Sequence, residues 1–224
     1  MHSMHLVFKF LSLTFSALLP VVNPIGSALV FLGLVGIAPA KVFRRLATKI
    51  AFSTALFLLA IDVGGAAILA FFAISLPVVQ FAGGFVLAAM GWDLLNQKEV
   101  AQEDETSLAP ANLGSLEERV FYPFTFPLTA GPGCIVVMLT LSAHASKEED
   151  LLDRVFAHVG IMVGVLFICT AVLFSYAYAQ RITLRISRQT VHGVLRVIAF
   201  ILLCIGVQIA WNGLETMARE IGKH

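Results

Sequence analysis

Long apolar runs separated by short polar connections dominate the chain. Six of them, at about 6–37, 50–72, 74–95, 119–142, 155–179 and 191–214, are long enough for a helix of roughly 20 residues to cross about 30 Å of hydrocarbon. The pattern therefore predicts an all-α, polytopic membrane protein of six transmembrane helices. Two runs are interrupted in their interiors, the first at Asn23-Pro24-Ile25-Gly26 and the fourth at Pro127-Leu128-Thr129-Ala130-Gly131-Pro132-Gly133. Helices 1 and 4 are accordingly expected to be broken. Three runs precede a polar stretch at 97–118 and three follow it. An odd number of crossings in each half inverts one half relative to the other, so 1–96 and 119–224 read as two inverted three-helix repeats. The third and sixth runs, aligned at an offset of 115, superpose Phe85 on Phe200, Leu87 on Leu202, Gly91 on Gly206 and Asp93 on Gln208.

Composition makes lipid the solvent. Hydrophobic residues are 58% and charged residues 13% of the 224, mean hydropathy is +0.89, and soluble domains carry about 25% charged residues. A net charge of +1, with no basic cluster interleaved with aromatics, excludes nucleic acid as a partner. Cys134, Cys169 and Cys204 lie in apolar runs without metal-ligand spacing and read as packing residues. The histidines, among them His144, His158 and His192 near span ends, read as interfacial. No metal or cofactor is expected. The first run resembles a signal peptide in its opening but continues through the prolyl break, so it is expected to be retained.

Ten of the fifteen Lys and Arg residues fall in one set of connections (Lys41, Arg44, Arg45, Lys49, Lys98, Arg119, Arg181, Arg185, Arg188 and Arg196). The excess of positive charge on cytoplasmic loops then predicts both termini outside and 97–118 as a cytoplasmic connector. That connector is acidic, with Glu99, Glu103, Asp104, Glu105, Glu117 and Glu118.

The breaks carry the candidate chemistry. Proline is costly inside a helix but suits its first position, so each break reads as a restart: Asn23 capping Pro24, and Gly131 capping Pro132. Gly26 and Gly133 admit close approach, and Thr129 offers a hydroxyl. Helix N-termini carry about half a positive charge and uncommitted amides. Two of them meeting at the midplane suit a carboxylate or a small zwitterion, and interrupted helices at matching places in two halves point to a transporter site. The expected substrate-binding set is Asn23, Pro24, Gly26, Thr129, Gly131, Pro132 and Gly133. Simple kinks are the alternative, since neighbouring helices can re-satisfy the backbone.

Asp62, beside Gly64 and Gly65, has no cation in its own span and is the candidate for carrying a coupling proton. Asp93, next to Trp92, reads as an interfacial anchor, and Gln80 and Gln208 as inter-helix glue. Gly160 and Gly164 form a GxxxG step whose default is packing within the monomer, with a homodimer seam as the alternative.

The two break segments, together with Phe72-Ala73-Ile74-Ser75-Leu76 and Phe81-Ala82-Gly83-Gly84, resemble the signature segments of the MarC family of bacterial inner-membrane proteins. The resemblance covers the whole chain, and the segment from Phe126 to Gly133 is its most specific part. Where the family usually has glycine, this chain has Ala73. The resemblance implies six membrane helices and relatives that include a small neutral amino-acid transporter. No catalytic motif is present, so the expected function is alternating-access transport of small neutral amino acids or related small carboxylates, coupled to protons or sodium. A passive channel or a membrane scaffold is the alternative.

Overall fold

The computed structural model describes residues 2–36, 38–96, 113–181 and 188–221. The described chain is helical: α1 (His2–Val22), α2 (Pro24–Val35), α3 (Ala40–Phe71), α4 (Leu76–Asn96), α5 (Leu113–Glu118), the prolyl segment Val120–Thr129, α6 (Pro132–Ala145), α7 (Leu151–Ala177) and α8 (Arg188–Ile221). Among the described residues, five stretches are long and apolar enough to cross a membrane: Ser3–Val35, Ala40–Gly65, Leu76–Asn96, Leu151–Ala177 and Gly193–Arg219. The prolyl segment and α6 form a sixth, bent by 70° at its break.

Contacts at the two ends of the bundle show that this bent pair runs from one to the other. Glu117, just before it, pairs with Arg45 at 2.6 Å and Lys49 at 2.8 Å near the start of α3. Ser142, near its end, donates to the Asp62 carbonyl at 2.7 Å, and Glu148 just beyond pairs with Lys9 at 3.2 Å. From Arg45 to Asp62 is about 25 Å of helix at 1.5 Å per residue. At the first end, a hydrogen bond from Lys49 and the charges of Arg45 and Lys49 outweigh burial and hold Glu117 below the ordinary carboxylate range. The acidic residues from Glu99 to Glu105 lie outside the described residues.

Helix α7 is the hub, packed against α1, α2, α3 and α6. Its GxxxG step makes one of these contacts intimate. A Cβ on Gly160 would lie 2.6 Å from the Val7 carbonyl oxygen and one on Gly164 2.7 Å from Thr14 Cβ, both on α1. The step is thus occupied inside the monomer. Close backbone approach supplies dispersion contact where lipid removes the hydrophobic drive between helices.

Helices α4 and α8 form a second unit. They lie antiparallel, Gly84 opposite Gly206 and Ala210, Gly91 opposite Ala199 and Leu203, and Gly213 opposite Pro77 and Phe81. Each of these glycines faces backbone atoms of the other helix, so the pair is locked main chain to main chain. The unit meets the remaining helices chiefly where α4 touches α6 and α8 touches α1. Trp92 and Trp211, 60% and 61% exposed, stand near opposite ends of it, where aromatic residues meet headgroups.

Between α3 and α4, Ala73 has φ 54°, the left-handed region that costs a residue with a Cβ about 1–2 kcal/mol. Ala73→Gly is expected to raise stability by up to about 1 kcal/mol, part of the relief being offset by glycine's greater unfolded-state entropy. Thermal unfolding in detergent measures it.

Candidate functional site

The first break is built as its sequence predicts. Asn23 leaves the helix at φ 44°, ψ 66°, its side chain accepts from the Gly26 amide at 3.1 Å, and Pro24 opens α2. The Ser27 hydroxyl donates to the Asn23 carbonyl at 2.9 Å. A Cβ on Gly26 would collide with the Asn23 amide, so glycine is what lets the cap fold back over the first turn. Asparagine tolerates the left-handed conformation better than other residues with a Cβ.

The second break also has its cap and proline where expected, with Gly131 capping α6 and Pro132 in its first turn. Gly131 is extended at φ −78°, ψ −175°, so its glycine is not required by the dihedrals. The preceding segment is interrupted twice, at Tyr122 and Phe126, each before a proline. Both restrictions follow from the crowding a proline imposes on the residue before it. The sequence here repeats itself, as Tyr122-Pro123-Phe124-Thr125 and then Phe126-Pro127-Leu128-Thr129.

A buried cluster ties the two breaks together. Thr129 Oγ1 donates to the Phe124 carbonyl at 2.6 Å and lies 2.8 Å from the Tyr176 hydroxyl. Phe31 of α2 stacks on the Tyr176 ring at 4.6 Å and meets Phe124 edge-on at 5.2 Å. Thr129 is 1% exposed and its proton is committed, so its hydroxyl holds the breaks together where sequence reasoning expected it to be free for a ligand. Tyr176 was missed, because a tyrosine near the end of an apolar run looks like an interfacial residue.

Beside the first break is a cavity of about 420 Å³, lined by Asn23, Gly26, Ser27, Leu128, Asp93 and Leu202 among others. It brings the α2 N-terminus, one residue from the second break and a carboxylate to one space. Of the seven predicted residues, Asn23 and Gly26 line it. Pro24 is buried behind the cap. Gly131, Pro132 and Gly133 start α6 outside the lining, though a Cβ on Gly133 would lie 3.1 Å from Val21 of the cavity wall. Asp93, expected only as an anchor, is part of the lining.

Asp62 is elsewhere, toward the Lys9–Glu148 end, and it has a basic partner. Nδ1 of His158 on α7 lies 3.1 Å from both carboxylate oxygens. The Asp62 side chain is 4% exposed and that of His158 33%, so the histidine connects the carboxylate to the surface. The sequence expectation of a carboxyl without a cation held only within its own span: the partner comes from α7. Gln208 bonds Asn212 on its own helix at 2.9 Å and is not inter-helix glue. Among the described residues no group of three His, Cys, Asp or Glu could hold a metal.

Over residues 8–218 the chain matches the family described as MarC family integral membrane protein. The chain belongs to the MarC family. Curated relatives of this MarC protein include the UPF0056 membrane protein MJ1677 of Methanocaldococcus jannaschii, 30% identical over 92% of this chain and 97% of the relative. The UPF0056 inner membrane protein MarC of an Escherichia coli strain is 26% identical over 93% of this chain and 95% of its own. No solved structure matches the chain.

Proposed function

We infer that this MarC protein is a carrier of small neutral amino acids or related small carboxylates, working by alternating access with its substrate at the helix breaks. The break cavity carries the reading. Asn23 and Gly26 at the start of α2 line the same cavity as Asp93, and a small zwitterion suits both: its carboxylate in the positive field at the start of α2, its ammonium near Asp93. About 420 Å³ is ample for such a molecule, and the surrounding leucines and valines exclude large polar ones. A half-helix terminus beside a cavity is an arrangement by which broken membrane helices bind substrate. In this reading the two halves are inverted repeats, both termini face the periplasm of a bacterial inner membrane, and no catalysis takes place.

Counterflow of radiolabelled alanine, glycine and serine in proteoliposomes of the purified protein tests it. Saturable exchange above empty liposomes is the expected result. A passive channel gives no counterflow, and a scaffold gives no flux.

Coupling is assigned to Asp62 with His158 as its partner, because a nearly buried carboxylate reaching the surface through an imidazole can take up and release a proton. Asp62→Asn is expected to flatten the dependence of alanine flux on external pH while exchange at fixed pH persists. An unchanged pH profile would remove Asp62 from the mechanism and leave sodium or no ion as the coupling partner.

A further inference from the structure

Three cavities lie in series along the joint between the α4–α8 unit and the rest of the bundle. The one near the Lys9–Glu148 end, about 380 Å³, is lined by Gln80 of α4, Asn212, Glu215 and Thr216 of α8, His144 of α6 and Lys147 beyond it. The next, about 390 Å³, shares His144 and adds Ser16, Thr140 and Gln208. The third is the break cavity. Along α8 the linings descend in order, from Asn212–Thr216 through Ile205–Ile209 to Leu195–Leu202. The second and third cavities are separated by a single turn, Ala17 to Pro20 on α1 and Leu202 to Ile205 on α8.

The end cavity has polar groups that neighbouring side chains leave partly unused. Gln80 is 6% exposed, lines the cavity, and its amide makes no hydrogen bond among the described residues. Its amide reaches open space in that cavity, where a ligand or water can bond it. Lys147 and Glu215 bring opposite charges to the same space from different elements, yet no ion pair joins them. Glu215 binds Arg219 through Oε1 at 2.6 Å, which leaves its second oxygen. Deeper in, Thr140 Oγ1 is buried without a partner in the second cavity.

We propose that the cavity between Lys147 and Glu215 is a second binding site for a small zwitterion, its carboxylate held by Lys147 and the Gln80 amide and its ammonium by Glu215. Its place in a path to the break cavity rests on the carrier reading, but binding there does not. The turn between Leu202 and Ile205 separates the intervening cavity from the break cavity.

Equilibrium binding of radiolabelled alanine to the full chain in lipid nanodiscs tests the site apart from transport. Wild type is expected to bind two equivalents and Asn23→Ala one. Adding Lys147→Gln, at an exposed position that tolerates the change, is expected to weaken that remaining equivalent at least tenfold, as is Glu215→Gln. Acetate and methylamine, each with one charge, are expected to compete poorly. An Asn23→Ala protein that binds no alanine, or whose binding ignores both Lys147→Gln and Glu215→Gln, overturns the second site and leaves the break cavity untouched. Binding that depends on Lys147, in a wild type that performs no counterflow, upholds the second site and removes the carrier reading instead.

Discussion

Asn23→Ala is expected to abolish alanine counterflow while the protein still inserts and purifies as a monodisperse species. The substitution removes the oxygen that accepts from the Gly26 amide, a cap loss of about 1 kcal/mol, and places alanine in a left-handed conformation that costs it about 1–2 kcal/mol. The sum is a large local cost but falls short of unfolding a bundle whose α1–α7 and α2–α7 contacts remain. What changes is the aim of the α2 N-terminus at the cavity, and a misplacement of about 1 Å can cost a site most of its power. Gly131→Ala is expected to act in the same direction at the second break. A Cβ there would lie 3.1 Å from the Pro127 carbonyl oxygen, so the prolyl segment must shift relative to α6. Flux and fluorescence-detected size exclusion, measured on the same preparations, separate the two readings of the breaks. Loss of flux with a normal elution profile supports a site, and loss of both together makes the breaks structural kinks.

Gly206→Val is expected to have the largest effect on stability. A Cβ at Gly206 would strike the Ala88 amide nitrogen and approach the Gly84 carbonyl oxygen of α4. These are backbone atoms and cannot rotate aside as a side chain could, so α8 must move off α4 along the seam. Overpacking a membrane helix pair in this way is expected to cost about 3 kcal/mol or more, seen as a lowered melting temperature or as aggregation in detergent. Gly193→Ala on the same helix is the control, since a Cβ there meets nothing within 4 Å. It is expected to leave stability unchanged or raise it slightly through helix propensity. Equal losses in both variants would mean that α8 is sensitive to its helical composition and that the seam is not what holds the unit together.

Much of the architecture was legible in the linear pattern. Hydrophobic runs set the number of crossings, because a span in lipid must satisfy its own backbone by being helical. The breaks were legible for an equally local reason, since Asn-Pro and Gly-Pro steps end one helix and start another whatever surrounds them. Helix lengths were not fully legible. Helix α3 begins at Ala40, ten residues before its apolar run, because Lys41, Arg44, Arg45 and Lys49 extend it into water, where Arg45 and Lys49 find Glu117. The glycines were visible too. Gly84 and Gly91, like Gly206 and Gly213, are seven residues apart and so share a helix face, but which face would be met by another backbone depended on the partner.

Side-chain partnership across helices was decided by tertiary structure alone. His158 sits 96 positions from Asp62, and Tyr176 47 positions from Thr129, separations over which no periodicity carries information. The sequence by itself determined that the chain is a MarC-type helical membrane protein with two prolyl restarts, because helix formation in lipid and proline stereochemistry are local. The packing of six helices determined that Asn23, Gly26 and Asp93 share one cavity, that the Thr129 hydroxyl meets Phe124 and Tyr176, and that Asp62 is paired. Those facts depend on which helical faces meet, and facing is fixed by the simultaneous close packing of all the helices.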